Sequence, residues 1–323
     1  MTKCTYCDQA AVIRLRYARL RLCPKHFSEY LVRRVSNTLR RYRMINRGER
    51  VLVAVSGGKD SATLAHVMCR LSEEMGLSLV GLHIDLGIGR YSEICSHKAS
   101  ELMDLLKISH VTVRLRDVLG GGIPKLARLL RRNECGLCGL IKRYVTNYVA
   151  WKVGANKVAT GHTLDDLVQY ILKSFLIQDL ERLRKLLPFS EPLPELRLAG
   201  RIKPLSEVSE KETMVYAYVN KLPFTLEECP LVRWGTLDLE AKRFMKMLED
   251  QRPGFRVSFL RKFVKNVDNY KVHTPSMSLR KCSSCGMVSS GEICAFCRIV
   301  RRLGLEIEEV MSKLDDAVEK ALS

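Results

Sequence analysis

The stretch VLVAVSGGKDS at residues 51–61 decides the fold of this chain. Its first five residues are all apolar, which predicts a β-strand that is buried on both faces. The residues from Ser56 to Ser61 then form a glycine turn that leads into a helix. A strand, a glycine turn and a helix start make an anion site, because backbone N–H groups point outward and the helix dipole favours negative charge.

The side chains of this loop indicate which anion it binds. Gly57 and Gly58 let the backbone approach oxygen atoms closely, and Lys59 adds a positive point charge. Asp60 does not suit a pure phosphate cradle, but it suits magnesium bound through water. The G-x4-G-K-[ST] spacing of a Walker A loop is absent. We therefore predict a site for ATP with Mg²⁺ that differs from the Walker type.

Short apolar runs alternate with amphipathic segments on either side of this stretch. Further strands are predicted at residues 79–84, 111–115 and 158–160, with helices between them. This alternation predicts an α/β fold with a parallel sheet and helices on both sides. The other predicted helices cover residues 28–47, 61–75, 93–106, 124–132, 140–153, 209–220, 237–249 and 305–322, and a long helix begins at residue 163 and runs to 187.

We predict four domains from these patterns. An N-terminal zinc finger covers residues 1–30, and a catalytic ATP-binding domain covers 31–205. A helical extension follows at 206–275, and a C-terminal zinc finger with a helix at 276–323.

The charge of the chain favours a polyanionic partner. It carries 54 Lys and Arg against 35 Asp and Glu, a net charge of +19, with basic clusters at residues 33–43, 131–132 and 301–302. Such clusters neutralise phosphates and release counterions, so we expect RNA binding, although a solvated basic surface is the plain alternative. No run of 18 apolar residues and no apolar signal core at the start are present, so we expect a cytoplasmic protein with no membrane contact.

Most of the 12 cysteines fall into sets with metal-ligand spacing. In a cytosolic chain such sets favour metal over disulfides. Each terminal set supplies four ligands, which predicts two Zn²⁺ sites that brace the fold, dock RNA or form dimer contacts. The two sets are Cys4, Cys7, Cys23, His26 and Cys282, Cys285, Cys294, Cys297.

The central cysteines, Cys135, Cys138 and Cys229, form a set of three. Structural zinc sites close with four ligands, so three thiolates leave a position open. A cubane iron–sulfur cluster on this trio exposes one iron to a sulfide or thiol substrate. The alternatives are a redox pair that carries a persulfide, and a structural zinc site that recruits Cys95.

The loop at 56–61 resembles the S-G-G-x-D-S loop of the N-type ATP pyrophosphatases, the PP-loop superfamily. The segment ATGHTLDD at 159–166 resembles the A-T-G-H-x-x-D-D segment of that superfamily, and LHI at 82–84 ends a strand where an adenine-binding edge is expected. The resemblance implies ATP contacts from the following residues: Ala54, Val55, Ser56, Gly57, Gly58, Lys59, Asp60, Ser61, His83, Ile84, Arg143, Gly161 and His162.

Over nearly its whole length the chain resembles the TtuA/TtcA group of tRNA 2-thiouridine synthetases, and within it the archaeal TtuA type. The resemblance is carried by LGIGRYSE at 86–93, CGLCGLIKR at 135–143, EECP at 227–230 and CAFC at 294–297. It implies a 4Fe–4S cluster on the three central cysteines, with catalytic roles for Lys142 and for Asp165 or Asp166. It further implies sulfur from a ubiquitin-like thiocarboxylated carrier protein, and a homodimer.

The function expected from this resemblance is 2-thiolation of uridine 54 in tRNA. The alternative within the group is thiolation of the wobble uridine 34. Two other classes remain at this stage: a non-catalytic zinc-finger RNA-binding protein, and another PP-loop enzyme such as a lysidine synthetase or amidotransferase. The intact loop counts against the first, and the thiolate trio against the second.

Overall fold

The structure is a computed structural model that describes residues 2–232, 235–270 and 278–322. Its core is a six-stranded sheet in the order β5-β4-β3-β6-β8-β7, in which every neighbouring pair except β7 and β8 is parallel. The strands of this sheet are β3 (Arg50–Ala54), β4 (Ser78–Asp85), β5 (His110–Arg114), β6 (Lys157–Ala159), β7 (Phe189–Ser190) and β8 (Gly200–Ile202). The predicted α/β fold with a parallel sheet is confirmed, with one antiparallel strand added at an edge.

Helices cover both faces of the sheet. The helices in chain order are α1 (Pro24–Arg41), α2 (Lys59–Met75), α3 (Gly89–Leu106), α4 (Leu115–Leu119), α5 (Ile123–Leu130), α6 (Glu134–Lys152), α7 (Leu164–Leu176), α8 (Leu180–Arg184), α9 (Glu210–Val219), α10 (Leu237–Gln251), α11 (Phe255–Asn266), α12 (Ala295–Arg302) and α13 (Ile307–Leu322). None of the helices in the described part of the chain is long and apolar enough to cross a membrane.

The strands bury both faces, as their apolar sequence requires. Val51 and Val53 of β3 pack with α1, α2, α3 and α9 in one hydrophobic core. Leu52 of β3 and Val158 of β6 pack on the other face, in a second core with α5, α6, α12 and α13. This alternation follows from the two-residue period of a strand.

Several predicted boundaries were wrong, each for a local reason. The helix expected at 28–47 ends at Arg41 rather than before Gly48, because Arg43 adopts a positive φ of 47° and the N–H of Met44 bonds back to Leu39. The helix expected at 163–187 is broken, since Gln178 has a φ of 56° between α7 and α8. The short strands β7 and β8 were missed because each has too few residues to show a pattern.

The later helices pack in two different places. Tyr216 and Ala217 of α9 belong to the core that contains α1 and α2, whereas α10 and α11 pack around α7 in a third core. The limits of the four predicted domains therefore stay a prediction, and the limit at 275–276 lies outside the described residues. Each terminal cysteine set sits beside a small antiparallel hairpin, β1 (Ile13–Leu15) with β2 (Leu20–Leu22), and β9 (Arg280–Lys281) with β10 (Val288–Ser289).

Candidate active site

The predicted site residues lie at the carboxyl edge of the sheet, where the strand order reverses. The chain runs from β3 to β4 on one side, and later returns to place β6 on the other side of β3. Open α/β sheets bind ligands in the crevice at such a switch point. The loop after β3 and the segment after β6 face each other there, since a Cβ at Gly161 would lie 3.1 Å from the backbone nitrogen of Ser61.

The loop after β3 is shaped by glycine and closed by serine. Gly57 has a φ of 89°, and a Cβ on it would lie 2.6 Å from the carbonyl oxygen of Cys95, so only glycine fits. The hydroxyl of Ser61 accepts the N–H of Ser56 at 3.1 Å and donates to the carbonyl of Gly58 at 2.9 Å. This leaves the N-terminal N–H groups of α2 open to an anion.

Asp60 is held from two sides. The ammonium of Lys59 lies 2.7 Å from one of its carboxylate oxygens, and the hydroxyl of Thr213 in α9 donates to the other. About a quarter of the Asp60 side chain is exposed. The carboxylate is therefore oriented and reachable by solvent, which suits a magnesium ion with bound waters. The contact with Thr213 could not be predicted from the sequence, because α9 lies far along the chain.

The two consecutive aspartates after β6 point in different directions. Asp166 caps α7, where its carboxylate accepts the N–H of Thr163 at 2.8 Å. Burial raises the pKa of this carboxyl, and Asp60 adds to the increase, which places the two acids near each other. Asp165 instead pairs with Arg256 of α11 and accepts the N–H of Glu210 at 3.0 Å. Only Asp166 therefore faces the crevice.

His162 stands at the mouth of the crevice. Its Nδ1 lies 2.9 Å from the hydroxyl of Thr160. Desolvation together with the positive charges of Lys203, Lys142 and Arg201 lowers the pKa of His162 to about 4. The imidazole is therefore neutral at pH 7, in which state it can bond to a base or ribose.

Two cations of the crevice were missed by the sequence reading. Arg201 and Lys203 lie on and just after β8, and their spacing of two residues places both on one face of the strand. Burial lowers the pKa of Lys203 to about 8, and Arg201 adds to the decrease. The pattern R-x-K in the sequence predicts two cations on one face only if the segment is a strand, and β8 could not be recognised as a strand from its sequence.

The predicted adenine-binding pair is placed at the end of β4. His83 is buried, donates from Nδ1 to the carbonyl of Val55 at 2.8 Å and accepts the hydroxyl of Ser96 at 2.9 Å. Its side chain is thus engaged in supporting the loop after β3. Ile84 is half-buried at the same edge of the sheet, so it is the member of the pair with surface left for a ligand.

The three central cysteines converge at one end of the crevice. Cys135 and Cys138 lie in the first two turns of α6, and the structure thus begins this helix before the predicted residue 140. Burial raises the pKa of the Cys138 thiol, the positive charge of Lys142 opposes the increase, and Cys229 and Cys135 add to it. Cys135 is exposed, and the other two are half-buried. A free approach to the trio therefore exists from solvent.

The central trio is more open than the two terminal sets. Among the described residues, only the terminal sets bring all their ligand atoms within 4.8 Å of one another, so at least one pair of the three central sulfurs is farther apart than that. Four thiolates on one zinc ion are separated by about 3.8 Å, given Zn–S bonds of about 2.3 Å. A cubane holds each thiolate on a different iron, so its thiolates are more widely spaced. The donors present fit such a cluster.

The terminal sets have the geometry of tetrahedral zinc. Cys7 and Cys23 lie 3.8 Å apart, and the Nδ1 of His26 lies 3.4 Å from Cys23. In the C-terminal set the sulfurs of Cys285 and Cys294 are also 3.8 Å apart. All four ligands in each set could bind one zinc ion. The C-terminal set packs against α6, where Phe296 stacks on Tyr144 with ring centroids 3.7 Å apart.

A basic cleft of about 660 Å³ lies between α1, α11 and the N-terminal set. Its walls carry tyrosines and cations, among them Tyr6, Tyr17, Tyr30, Arg33, Arg34, Arg41, Arg261 and Lys262. Glu207 pairs with Arg41 and Arg261. Because this one carboxylate is outnumbered by the cations of the walls, the cleft remains positive. Aromatic faces between cations are typical of surfaces that bind single-stranded nucleic acid.

Comparisons with known proteins agree with this geometry. Residues 28–229 match the family model of the PP-loop domain, and residues 3–28 match that of the 2-thiouridine synthetase TtuA N-terminal LIM domain. The tRNA-5-methyluridine(54) 2-sulfurtransferase of Pyrococcus horikoshii is 39% identical over 92% of this chain and 93% of its own length. The enzyme of the same name from Thermus thermophilus is 38% identical over 92% and 90%.

A solved structure confirms the fold. The U34-tRNA thiolase NcsA from Methanococcus maripaludis with its [4Fe-4S] cluster superimposes with a TM-score of 0.77 and 24% identity, over 95% of this chain and 97% of that one.

Proposed function

Because this chain belongs to the PP-loop family and, within it, to the TtuA group of tRNA 2-thiouridine synthetases, we propose that it thiolates uridine 54 of tRNA at C2. The relatives from Pyrococcus horikoshii and Thermus thermophilus are named for this activity. One structural observation supports both halves of the reaction. The ATP loop and the three central thiols share one crevice, since the N–H of Thr225 bonds to Gly57 of that loop four residues before Cys229.

In the first half-reaction the C2 oxygen of the uracil attacks the α-phosphorus of ATP. A bond from that oxygen to phosphorus forms, and pyrophosphate leaves toward the loop at 56–61. Lys59 and the open N–H groups of α2 stabilise the charge that develops on the leaving phosphates. Asp60 and Asp166 bind the magnesium ion, either directly or through water.

In the second half-reaction a sulfur nucleophile attacks C2, and the C2–O bond breaks. The oxygen departs with AMP. Cys135, Cys138 and Cys229 would hold a 4Fe–4S cluster, and when bound this cluster would supply the sulfur nucleophile. Lys142 lies close enough to both Cys138 and His162 for its charge to lower their pKa values, so it connects the thiols with the ATP crevice, where its charge would stabilise the departing AMP.

The partners follow from this chemistry. We propose that tRNA binds across the basic cleft, with sulfur delivered by a ubiquitin-like thiocarboxylated protein to the exposed side of Cys135. The terminal sets hold two Zn²⁺ ions, and the enzyme acts as a homodimer in the cytoplasm. The name of the Xenopus laevis relative, cytoplasmic tRNA 2-thiolation protein 1, supports that location.

The experiment offers two tRNA transcripts to the anaerobically reconstituted protein with ATP and sulfide. One transcript lacks only uridine 54, and the other lacks only uridine 34. We expect 2-thiouridine in the second transcript and none in the first, measured by mass analysis of nucleosides. Thiolation of the first transcript alone would assign the protein to the wobble position instead. The matched controls are Lys59→Ala, which we expect to be inactive, and Lys98→Ala, a change on the surface of α3 that should have no effect.

A further inference from the structure

Arg201 lies close enough to Arg143, at the edge of the crevice, for the charge of Arg143 to lower its pKa. Arg201 lies on β8, paired in register with Val158 of β6. Paired residues of parallel strands point to the same side of the sheet. Val158 is buried against α6, so the Arg201 side chain emerges on the α6 side, where Arg143 lies.

The sequence of α6 makes room for the second guanidinium. A Cβ on Gly139 would lie 3.2 Å from a terminal nitrogen of Arg143. The Arg143 side chain therefore folds back along the helix toward Cys138. Glycine at 139 allows this, because its hydrogen leaves the space that a methyl group would fill.

No carboxylate in the described part of the chain neutralises this pair of cations. Desolvation lowers the pKa of Arg201, and Arg143 adds to the decrease. Across residues 2–232, 235–270 and 278–322, neither guanidinium forms a hydrogen bond or an ion pair with a protein group. Arg201 is half-buried, and a charge that is partly removed from water is normally paired, so the lack of a carboxylate beside it and beside the exposed Arg143 indicates an anion that arrives from outside.

We propose that Arg201 and Arg143 form a phosphate-binding site for the RNA strand, separate from the loop that binds ATP. The proposal rests on the proposed function and adds to it the place where the sugar–phosphate backbone beside the target nucleotide is held. A guanidinium suits this task, since its planar fork binds two phosphate oxygens at once.

The position of the pair favours a phosphodiester over an ATP phosphate, although the sequence resemblance implies an ATP contact for Arg143. β8 is two strands away from β3, and strands are about 4.8 Å apart, so the pair lies about 10 Å across the sheet from the strand that carries the ATP loop. The loop already has its own cation, Lys59. A base inserted between the loop and the thiols keeps its backbone outside the crevice, on the side where Arg201 and His162 stand.

The test measures RNA and nucleotide binding separately, on the full chain. We expect Arg201→Gln to weaken tRNA binding about tenfold at about 0.15 M salt, and to reduce the slope of log K against log salt by about 1. Affinity for MgATP and iron content should stay unchanged. Arg201→Lys should recover part of the tRNA affinity, because it restores charge without the fork. The matched control is Arg47→Gln, an exposed arginine that precedes β3 at the opposite edge of the sheet.

The outcomes separate this proposal from the proposed function. If Arg201→Gln weakens MgATP binding and leaves tRNA binding intact, the pair serves ATP and the proposal is overturned. Unchanged affinity for both ligands would overturn it as well. Binding is read without any thiolation step, so a failure of uridine 54 thiolation in the wild type would count against the proposed function alone.

Discussion

The backbone N–H of Thr225 donates a 2.9 Å hydrogen bond to the carbonyl oxygen of Gly57. Gly57 can hold its position because its φ of 89° and its contact with the Cys95 backbone exclude any side chain. The hydroxyl of Thr225 accepts the N–H of Glu227 at 3.0 Å, which turns the chain toward Cys229. One residue thus connects the ATP loop to the third thiol.

Removing this connection should affect both ligands. Thr225→Pro eliminates the donor, and a single amide hydrogen bond contributes about 0.5–1.5 kcal/mol. We expect MgATP affinity to fall by up to about tenfold, together with lower iron incorporation. Thr225→Ser keeps the N–H and the hydroxyl and should behave as wild type. Calorimetry and iron analysis check this, and loss of only one of the two properties would contradict the coupling.

The central cysteines should each be required for iron but not for zinc. We expect Cys135→Ser, Cys138→Ser and Cys229→Ser to lose most of the roughly four irons per chain that a cubane contains. Zinc should remain at about two per chain, since the terminal sets supply four ligands each. Cys69→Ser is the matched control, because Cys69 lies on α2, where its thiol donates to the carbonyl of Leu106. Metal analysis after anaerobic reconstitution gives the result, and full iron retention in all three variants would refute the site.

The ATP loop should be needed for adenylation but not for the cluster. Lys59→Ala and Asp60→Asn each remove a charge at the phosphates, which costs about 2–4 kcal/mol of transition-state stabilisation. This corresponds to a loss of about 30- to 900-fold in the rate of pyrophosphate release in the presence of tRNA. The absorption of the cluster should stay that of wild type. A near-normal rate in both variants would be incompatible with the assigned role of the loop.

The sequence predicted the parts of this site that have local patterns. The sequence alone predicted the ATP loop at 51–61 and the metal-ligand cysteine sets, because each is defined by residues that are close together in the chain. The different roles of Asp165 and Asp166 could not be predicted from the sequence, because Asp165 is paired by Arg256 from a helix that lies far along the chain. Arg201 and Lys203 were missed for a similar reason, since three-residue β8 acquires its meaning only from its pairing with β6.

Acid should destabilise the fold through His66. Burial lowers the pKa of His66 to about 4, with Arg70 adding to the decrease, and its Nδ1 lies 2.9 Å from the hydroxyl of Tyr216. The unfolded chain binds more protons between pH 6.5 and 4, so the stabilisation is present above pH 6.5 and is lost as the pH falls toward 4. One proton contributes at most about 1.4 kcal/mol per pH unit. Thermal melts should show a smaller loss over this range in His66→Gln, and equal losses in both proteins would exclude His66 as the cause.

The ion pair of Asp165 with Arg256 should stabilise the fold, whereas Asp166 should serve the reaction. Each partner of the pair is 11% exposed, so Asp165→Asn leaves the nearly buried Arg256 guanidinium with Glu249, 3.6 Å away, as its remaining partner, and the cost should stay below the value of about 3–5 kcal/mol for a buried charge left with none. Asp166→Asn weakens a helix cap that contributes about 1 kcal/mol, yet it removes a charge beside Asp60. We expect Asp165→Asn to lower the melting temperature strongly, and the double change with Arg256→Met to recover part of it. Asp166→Asn should melt close to wild type and release pyrophosphate far more slowly. If Asp166→Asn lowered the melting temperature strongly and Asp165→Asn slowed pyrophosphate release instead, the two roles would be exchanged.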